Sequence, residues 1–386
     1  MARWRWSMML VVALSWCGAV RAVPAALESD WPTFQFGGQA MAPMRPIIDW
    51  LKAGNSWDSG SGTLHIVVHA PEGRRRLELT VRSVDAKLNG QKLTLPRAPF
   101  LAHGTVYAPA RIALESLGVK LEWSNEPRGL VCSLGDQQMF LPVMAPNYPL
   151  VNRSGVLIGG SMAGTWADGK TLAAKLAGGE PYWVYTPTEA LTATLRGGKP
   201  TVEDPGEFMS VPLPWGEDVH QDAVAFGGPW NAQPRTPRQL KLEGSPYEAA
   251  IRDVLREHRM PKAPVKLQQA MLVDLEGDGT DEVLLSASSM PADHPPVDSA
   301  AGGDYSMVLL RRVDGRQVKT YVLAAHFYTK ETNAPNVDRV QSVLDLDGDG
   351  VMEILCSWMY YEGGGTDVYQ LQKGIPKQVL SGGMGA

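Results

Sequence analysis

Residues 100–123 read FLAHGTVYAPARIALESLGVKLEW, and residues 34–57 read FQFGGQAMAPMRPIIDWLKAGNSW. A shift of 66 residues aligns these two segments without a gap, and seven of the 24 positions are identical. The identical pairs are Phe34 and Phe100, Gly38 and Gly104, Ala42 and Ala108, Pro43 and Pro109, Arg45 and Arg111, Leu51 and Leu117, and Trp57 and Trp123. The sequence therefore predicts a duplicated module near the N-terminus.

Each copy of the repeat has the pattern of a short helix followed by a strand. A proline stands in the first helical turn, where a missing N–H costs nothing, and Gly54 or Gly118 follows the last apolar residue. The strands expected next are residues 63–68 and 130–134. We expect Trp57 and Trp123 to occupy equivalent buried positions, each against its own helix.

The second copy and the hairpin before it carry a family resemblance. Leu88-Asn89-Gly90-Gln91-Lys92-Leu93, then Thr105-Val106-Tyr107-Ala108-Pro109-Ala110-Arg111, Leu117-Gly118 and Leu121-Glu122-Trp123 resemble the copper amine oxidase N-terminal, or stalk, domain. The resemblance covers residues 30–145. It implies a small antiparallel sheet packed on a helix, in a non-catalytic attachment or spacer unit of exported bacterial proteins.

The same resemblance raises the question of copper and a quinone. The family's quinone forms from the tyrosine of an Asn-Tyr-Asp/Glu motif, whereas Asn147-Tyr148 is followed here by Pro149. Copper requires clustered histidines, but His65 and His69 fall four residues apart in an expected strand, about 13 Å from one another. We therefore expect neither copper nor quinone, and no amine oxidase activity.

Two acidic loops near the C-terminus carry the strongest chemical signal. In both, carboxylates alternate at positions 1, 3 and 5, a backbone carbonyl is expected at position 7, and a glutamate stands at position 9. The first loop (274–282) offers Asp274, Glu276, Asp278, Thr280 and Glu282; the second loop (345–353) offers Asp345, Asp347, Asp349, Val351 and Glu353. Calcium takes six to eight oxygen ligands, which favours such a spacing, and an EF-hand would place its glutamate at position 12. The pattern predicts two calcium sites; the alternative is a pair of acidic hairpin turns.

These loops resemble the Asp-x-Asp-x-Asp-Gly repeats of the FG-GAP and VCBS families. Two copies lie 71 residues apart, too few for a β-propeller, which needs at least four blades. We expect a single α+β or β-sandwich domain instead, entered by a helix that begins at Ser245. The resemblance implies an architecture and an exported location, and no reaction.

Aromatic residues follow the second loop. Trp358 and Tyr360 share one face of an expected strand and precede three consecutive glycines, Gly363–Gly365. Such a face could stack on sugar rings as a ligand-binding surface, or it could serve as packing within the sheet.

The N-terminal sequence and the net charge limit where the protein is located and which partners it can have. Residues 1–22 have the basic start, short apolar run and small-residue end of a signal peptide, with cleavage expected after Ala22. No later segment is apolar and long enough to span a bilayer, and a net charge of −5 gives no footprint for nucleic acid. Cys132 and Cys356 remain after cleavage, either as buried thiols or as a pair.

Together these patterns predict an α+β chain that is mainly antiparallel β. The expected divisions are a signal peptide (1–22), a duplicated sheet-plus-helix stalk domain (23–145), a small β-rich region with a Pro/Gly-rich linker (146–243) and a calcium-loop domain (244–386). The function expected is that of a secreted, non-enzymatic envelope protein whose partner is a cell-envelope polymer, a glycan or a surface protein. The alternative is a secreted hydrolase with its active site in residues 146–243.

Overall fold

The computed structural model describes residues 33–36, 39–70, 73–102, 104–125, 128–144, 147–162, 164–188, 190–204, 208–228, 230–290, 299–315 and 317–385. The predicted signal peptide, residues 1–22, lies outside this part of the chain.

Residues 33–144, called the stalk module below, form two sheets and two short helices. Its elements are β1 (Thr33–Phe36), β2 (Gln39–Pro43), α1 (Met44–Trp50), β3 (Gly54–Asp58), β4 (Thr63–Ala70), β5 (Gly73–Thr80), β6 (Asp85–Leu88), β7 (Gln91–Thr94), β8 (Phe100–Ala102), β9 (Thr105–Pro109), α2 (Ala110–Ser116), β10 (Lys120–Asn125), β11 (Arg128–Leu134) and β12 (Gln137–Met144). One sheet has the order β3-β4-β5-β6-β7, and the other has the order β10-β11-β12-β1-β2-β9-β8. Both helices contribute buried apolar residues to the core between these sheets.

The sequence repeat is visible as a structural repeat. Moved by 66 residues, the bounds of β2 and α1 become those of β9 and α2. The pairing of β3 with β4 has the same register as that of β10 with β11, since Trp57 lies opposite Leu64 and Trp123 opposite Leu130. The two copies diverge afterwards, because the first copy carries an additional hairpin, β6–β7, at the edge of β5.

The two tryptophans occupy equivalent positions, as predicted, but the expected burial is wrong. Trp57 and Trp123 are each 44% exposed. Each lies on an outermost strand, β3 or β10, where an aromatic ring has neighbours on one side only. The repetition of the tryptophan therefore predicted an equivalent position in the two copies correctly, but its hydrophobic character did not predict burial.

Residues 147–226 build a six-stranded sheet and a small two-stranded sheet, and a short strand at residues 238–239 pairs with the C-terminal part. The elements are β13 (Asn147–Asn152), β14 (Leu157–Met162), β15 (Thr165–Asp168), α3 (Gly169–Ala173), β16 (Pro181–Tyr185), β17 (Ala190–Arg196), β18 (Thr201–Glu203), β19 (Phe208–Ser210), β20 (Val224–Phe226) and β21 (Arg238–Gln239). Six of them form a sheet in the order β15-β14-β13-β20-β16-β17. Although β20 falls in the Pro/Gly-rich stretch expected to be a linker, it is fully buried between β13 and β16.

The C-terminal part contains one helix and two larger antiparallel sheets. Its elements are α4 (Glu248–Glu257), β22 (Leu267–Val273), β23 (Glu282–Ser288), β24 (Ser299–Ala300), β25 (Tyr305–Asp314), β26 (Gln317–Phe327), β27 (Thr332–Asn333), β28 (Val337–Leu344), β29 (Glu353–Tyr360), β30 (Gly363–Gln372) and β31 (Ile375–Met384). The helix begins at Glu248 and not at Ser245, because Ser245 lies in the turn before it and accepts a hydrogen bond from the Tyr247 N–H at 3.4 Å.

These sheets pack in layers. The sheet β21-β22-β23-β25-β26 packs α4 on one face, and its other face shares a core with the sheet β28-β29-β30-β31. The far face of that second sheet packs on the middle sheet, through residues such as Leu355 and Phe226. The predicted fold class, α+β and mainly antiparallel β, is confirmed. Cys132 and Cys356 are buried free thiols that belong to different cores.

Candidate metal centre

The first acidic loop connects β22 to β23, the second connects β28 to β29, and the two loops fold alike. In the first loop Glu282 Oε2 accepts the Leu275 N–H at 2.9 Å; in the second, Glu353 Oε2 accepts the Leu346 N–H at 2.8 Å. Asp274 likewise accepts the Gly279 N–H at 3.0 Å, where Asp345 accepts the Gly350 N–H at 3.1 Å. The glutamate at position 9 therefore closes each loop onto its own second residue.

Glycine permits this tight curvature. Gly348 and Gly350 have φ values of 75° and 93°, and Gly277 and Gly279 have nearly the same values in the first loop. Residues that carry a side chain rarely adopt this left-handed backbone conformation, which explains the glycines at positions 4 and 6 of both loops.

Three carboxylates converge in the second loop. Asp345, Asp347 and Glu353 each offer one oxygen, and these oxygens all lie within 4.8 Å of one another. Asp345 and Glu353 are buried, with 6% and 0% of their surfaces exposed. Asp349 is outside this group and exposed; its Oδ1 accepts the Val351 N–H at 2.7 Å.

Burial and mutual repulsion make this cluster unfavourable as three anions. Burial, together with the charges of Asp347 and Asp349, raises the pKa of Asp345 to about 8. Burial and the charge of Asp349 raise the pKa of Asp347 to about 6, and burial with the neighbouring aspartates raises the pKa of Glu353 well above its ordinary value. A compensating cation would remove this penalty.

One atom tests whether a cation fits. Asp345 Oδ1 is buried and has no hydrogen-bond partner among the described residues. A buried carboxylate oxygen without a donor is costly, whereas a metal ion would satisfy it. Gln370 holds the remaining two members of the cluster, because its Nε2 donates to Asp347 Oδ2 at 2.9 Å and reaches Glu353 Oε1 at 3.4 Å. The residues present therefore fit a hard divalent ion.

Residues far away in sequence hold the second loop in place. Trp230 Nε1 donates to the Asp345 carbonyl at 2.7 Å, and the Asp345 N–H donates to the Ala232 carbonyl at 2.7 Å. From the stalk module, Arg97 Nη1 donates to the Gly348 carbonyl at 3.1 Å. The Met352 N–H donates to the Leu275 carbonyl of the first loop at 2.9 Å. The second loop is thus the point at which three parts of the chain meet.

The first loop differs in its surroundings. The Arg312 guanidinium forms an ion pair with Glu276, so that an arginine already compensates the carboxylate at position 3. Arg235 Nη2 donates both to the Leu275 carbonyl at 2.8 Å and to the Gly350 carbonyl at 2.7 Å, which joins the two loops. Burial raises the pKa of Glu282. A calcium ion in the first loop would have to share the Glu276 carboxylate with the Arg312 guanidinium.

Trp358 and Tyr360 lie away from both loops. They lie in β29, near the end of the strand that is farther from Glu353. At the usual rise per residue of a strand, Trp358 is about 17 Å from Glu353. Their rings stack with centroids 6.4 Å apart and an interplanar angle of 18°. A Cβ at Gly365 or Gly383 would collide with the Trp358 indole, so the glycines of β30 and β31 make room for this ring.

The middle region contains a cavity of about 550 Å³ that bears on the hydrolase alternative. His220, Asp222 and Arg339 line it, and Asp222 is paired with Arg339 in the buried wall. His220 Nδ1 accepts the Asp222 N–H at 3.1 Å, and no hydroxyl or thiol of the described residues hydrogen-bonds to its ring. This arrangement lacks the nucleophile–base contact that a hydrolase of the Ser–His type requires.

Sequence reasoning missed the residues that surround the second loop. Arg97, Trp230 and Gln370 contact it from other strands and connections, and nothing in their local sequence indicates that role. The loop pattern itself was the only signal, and it specifies the ligands without the neighbours that position them.

A comparison with protein families supports the N-terminal assignment. Residues 24–131 match the family model of the copper amine oxidase N-terminal domain, which confirms the stalk resemblance. The match covers that N-terminal domain and does not extend to a catalytic domain. No curated protein and no solved structure matches this chain. None of the helices in the described residues is long and apolar enough to cross a membrane.

Proposed function

We propose that this chain is an exported, non-enzymatic envelope protein in which calcium stabilises the C-terminal domain and the stalk module serves attachment or spacing. The convergence of Asp345, Asp347 and Glu353 within 4.8 Å carries the calcium part of the proposal. The second loop would hold the ion through these three residues, with the Val351 carbonyl as a further ligand. The ion would supply positive charge to a buried anionic cluster and no reactive group.

Calcium is favoured over transition metals by the donor set. The cluster offers carboxylate oxygens, with no histidine or cysteine among its three members. Hard cations prefer oxygen ligands, whereas zinc and copper sites in proteins normally contain imidazole or thiolate. The resemblance of both loops to FG-GAP and VCBS repeats points to the same ion.

The exported location rests on the N-terminal sequence and on the stalk match. Residues 1–22 have the pattern of a signal peptide, and residues 24–131 match a domain that resembles the stalk units of exported proteins. A cell-envelope polymer, a glycan or a surface protein is therefore the proposed partner. Exported proteins meet calcium at higher concentrations than cytosolic ones, which suits sites of modest affinity.

Thermal unfolding with and without calcium tests the proposal. Calcium at 100 times its dissociation constant should stabilise the domain by about 2.7 kcal/mol, and EGTA should reverse the shift. Asp347→Asn should abolish most of this calcium response. Asp314→Asn is the matched control, because Asp314 is an exposed carboxylate at the end of β25 that pairs with Lys319. An unchanged melting temperature on calcium addition would refute the metal site.

Sedimentation with isolated envelope polymers tests the attachment role. The stalk-bearing chain should co-sediment with the polymer, and we expect EGTA to weaken binding only if the C-terminal domain contacts the polymer. Hydrolysis of the polymer by the chain would instead support the hydrolase alternative, with the His220 cavity as the first place to mutate.

A further inference from the structure

A second cavity, of about 600 Å³, opens at the far end of the C-terminal sheets from the acidic loops. It lies where the end of β26 faces β28, β29 and β30. Its chemically distinctive lining residues are His326, Asp338, Trp358, Tyr360, Asp367 and Tyr369. This volume is in the range of sites that take small organic ligands.

The cavity is anionic. Asp338 and Asp367 line it, and its described lining includes no lysine or arginine. The titratable cation nearest to them is His326, whose Nε2 lies 3.5 Å from Asp338 Oδ2. With both carboxylates ionised, the lining carries a negative charge whether or not His326 is protonated.

One of these carboxylates is buried without a donor. Asp338 is 2% exposed, and its Oδ2 makes no hydrogen bond of ordinary geometry with the described residues; the His326 Nε2 lies 3.5 Å away, and its contact with Asp338 raises the pKa of His326. Asp367, by contrast, accepts a hydrogen bond from Gln378 Nε2 at 3.1 Å. A buried acceptor that lacks a donor favours a ligand that brings one.

Aromatic rings form the adjacent wall. Trp358 and Tyr360 stack on each other, and the glycines opposite them in β30 and β31 give both rings room to lie against the neighbouring strands. A Cβ at Gly365 or Gly383 would strike the indole, and one at Gly385 would strike the Tyr360 hydroxyl. Fixed aromatic faces beside carboxylates are the arrangement that proteins use to bind organic ammonium ions.

We infer that this cavity binds an organic ammonium group, with Asp338 and Asp367 as its counter-charges and Trp358 and Tyr360 as its aromatic wall. An amino sugar and a simple alkylamine both present this group. A calcium ion fits less well, because two of the walls offer aromatic carbon and because the described residues bring no third carboxylate to these two acids. The inference deepens the ligand-binding part of the proposed function and does not depend on the metal site.

Calorimetric titration of the full chain tests the inference on the unmodified protein. Protonated glucosamine should bind at least tenfold more tightly than glucose, which has the same ring without the charge. Butylammonium distinguishes the two sources of the ammonium group. If it binds as tightly as glucosamine, the cavity recognises the ammonium group alone; if it binds more weakly, the sugar ring also contacts the cavity. If glucose binds as tightly as glucosamine, or if neither amine binds, the inference is wrong.

Variants then locate the site. Asp367→Asn and Asp338→Asn should each weaken glucosamine binding at least tenfold, and Trp358→Phe should weaken it severalfold while retaining an aromatic ring. Trp57→Phe is the matched control, because Trp57 lies on β3 of the stalk module and is not among the residues that line this cavity, and it should bind as the wild type does. Full glucosamine binding in Asp367→Asn, or an equal loss in Trp57→Phe, would overturn the assignment.

The titration is repeated in EGTA to separate the two proposals. Amine binding without any calcium-dependent melting shift would leave this cavity standing and remove the metal site. A calcium shift without amine binding would do the reverse.

Discussion

Ala42 and Ala108 lie directly opposite each other where β2 pairs with β9, and each is the other's equivalent in the 66-residue repeat. The flanking pairs are also related by the repeat. Met41 faces Pro109, and their equivalents in the other copy, Tyr107 and Pro43, face each other in the same way. An antiparallel pair of equivalent strands that is centred on equivalent residues has local two-fold symmetry. The two halves of the stalk module therefore meet as the halves of a symmetric dimer do, within one chain.

This symmetry predicts equal sensitivity at the two alanines. Both side chains are fully buried, so Ala42→Leu and Ala108→Leu should each lower the free energy of unfolding by about 1–3 kcal/mol through overpacking. Denaturant titration measures the two losses, with Val84→Leu at an exposed position as the control. A large loss in one variant and none in the other would contradict the symmetric packing.

The exposed tryptophans predict a small effect where the sequence suggests a large one. Removing a buried tryptophan typically costs about 3–5 kcal/mol. Trp57→Ala and Trp123→Ala should cost clearly less, and similar amounts, because both rings are 44% exposed. Urea unfolding of both variants gives the comparison. A core-sized loss in either would show that the ring is covered in solution.

Arg97 provides a prediction about the link between the stalk module and the second loop. Its guanidinium donates to Gly348 and interacts with the charges of Asp345, Asp347 and Asp349. Arg97→Gln should therefore lower the melting temperature in EGTA more than in calcium, because a bound ion compensates the same charges.

The control for that experiment is Arg82→Gln. Arg82 also reaches from the stalk module to residues 147–239, through a hydrogen bond to the Pro234 carbonyl at 3.2 Å. Its carbonyl partner belongs to neither acidic loop. We expect its effect to be the same with and without calcium; equal calcium dependence in both variants would refute the special role of Arg97.

The acidic cluster predicts an unusual pH dependence without calcium. Folding raises the pKa of Asp345 to about 8 and that of Asp347 to about 6, from an unfolded value of about 3.9. Between these values the folded protein binds more protons than the unfolded chain, so the free energy of unfolding should decrease as the pH rises from about 4 to 8. Melting curves in EGTA measure the slope.

Saturating calcium should flatten or reverse that slope, since the ion replaces the protons. Asp345→Asn should also reduce it, because it removes a carboxylate whose pKa folding raises from about 3.9 to about 8. A stability in EGTA that increases steadily with pH over the same interval would mean that these carboxylates are satisfied in another way.

Local patterns predicted the repeat and its elements well, and side-chain environment poorly. The prolines and glycines around Pro43 and Gly54 fix where α1 and its strand begin and end, and these are short-range effects. The exposure of Trp57 depends on β3 being an outermost strand, which only the assembled sheet decides. The burial of β20 is similar, because its two neighbours, β13 and β16, come from distant parts of the chain.

The acidic loops show the same division. The alternating spacing indicated which carboxylates could meet, and the hydrogen bonds that Glu353 and Asp345 accept come from backbone N–H groups within the loop. The difference between the two loops comes from outside them, since Arg312 reaches Glu276 while Gln370 reaches Asp347. Those partners come from later strands, and no short-range pattern specifies them.

The position of β1 has a consequence for the order in which the stalk module can fold. Thr33 pairs in parallel with Val143, although β1 is the first described strand of the module and β12 is the last. β1 can pair with β2 at once, because the two strands form a local hairpin, but its other edge waits for β12, and the seven-stranded sheet stays open until almost the whole module exists. Pairing over such a separation is slow, and the exposed edges of β12 and β1 are open to other strands during that interval.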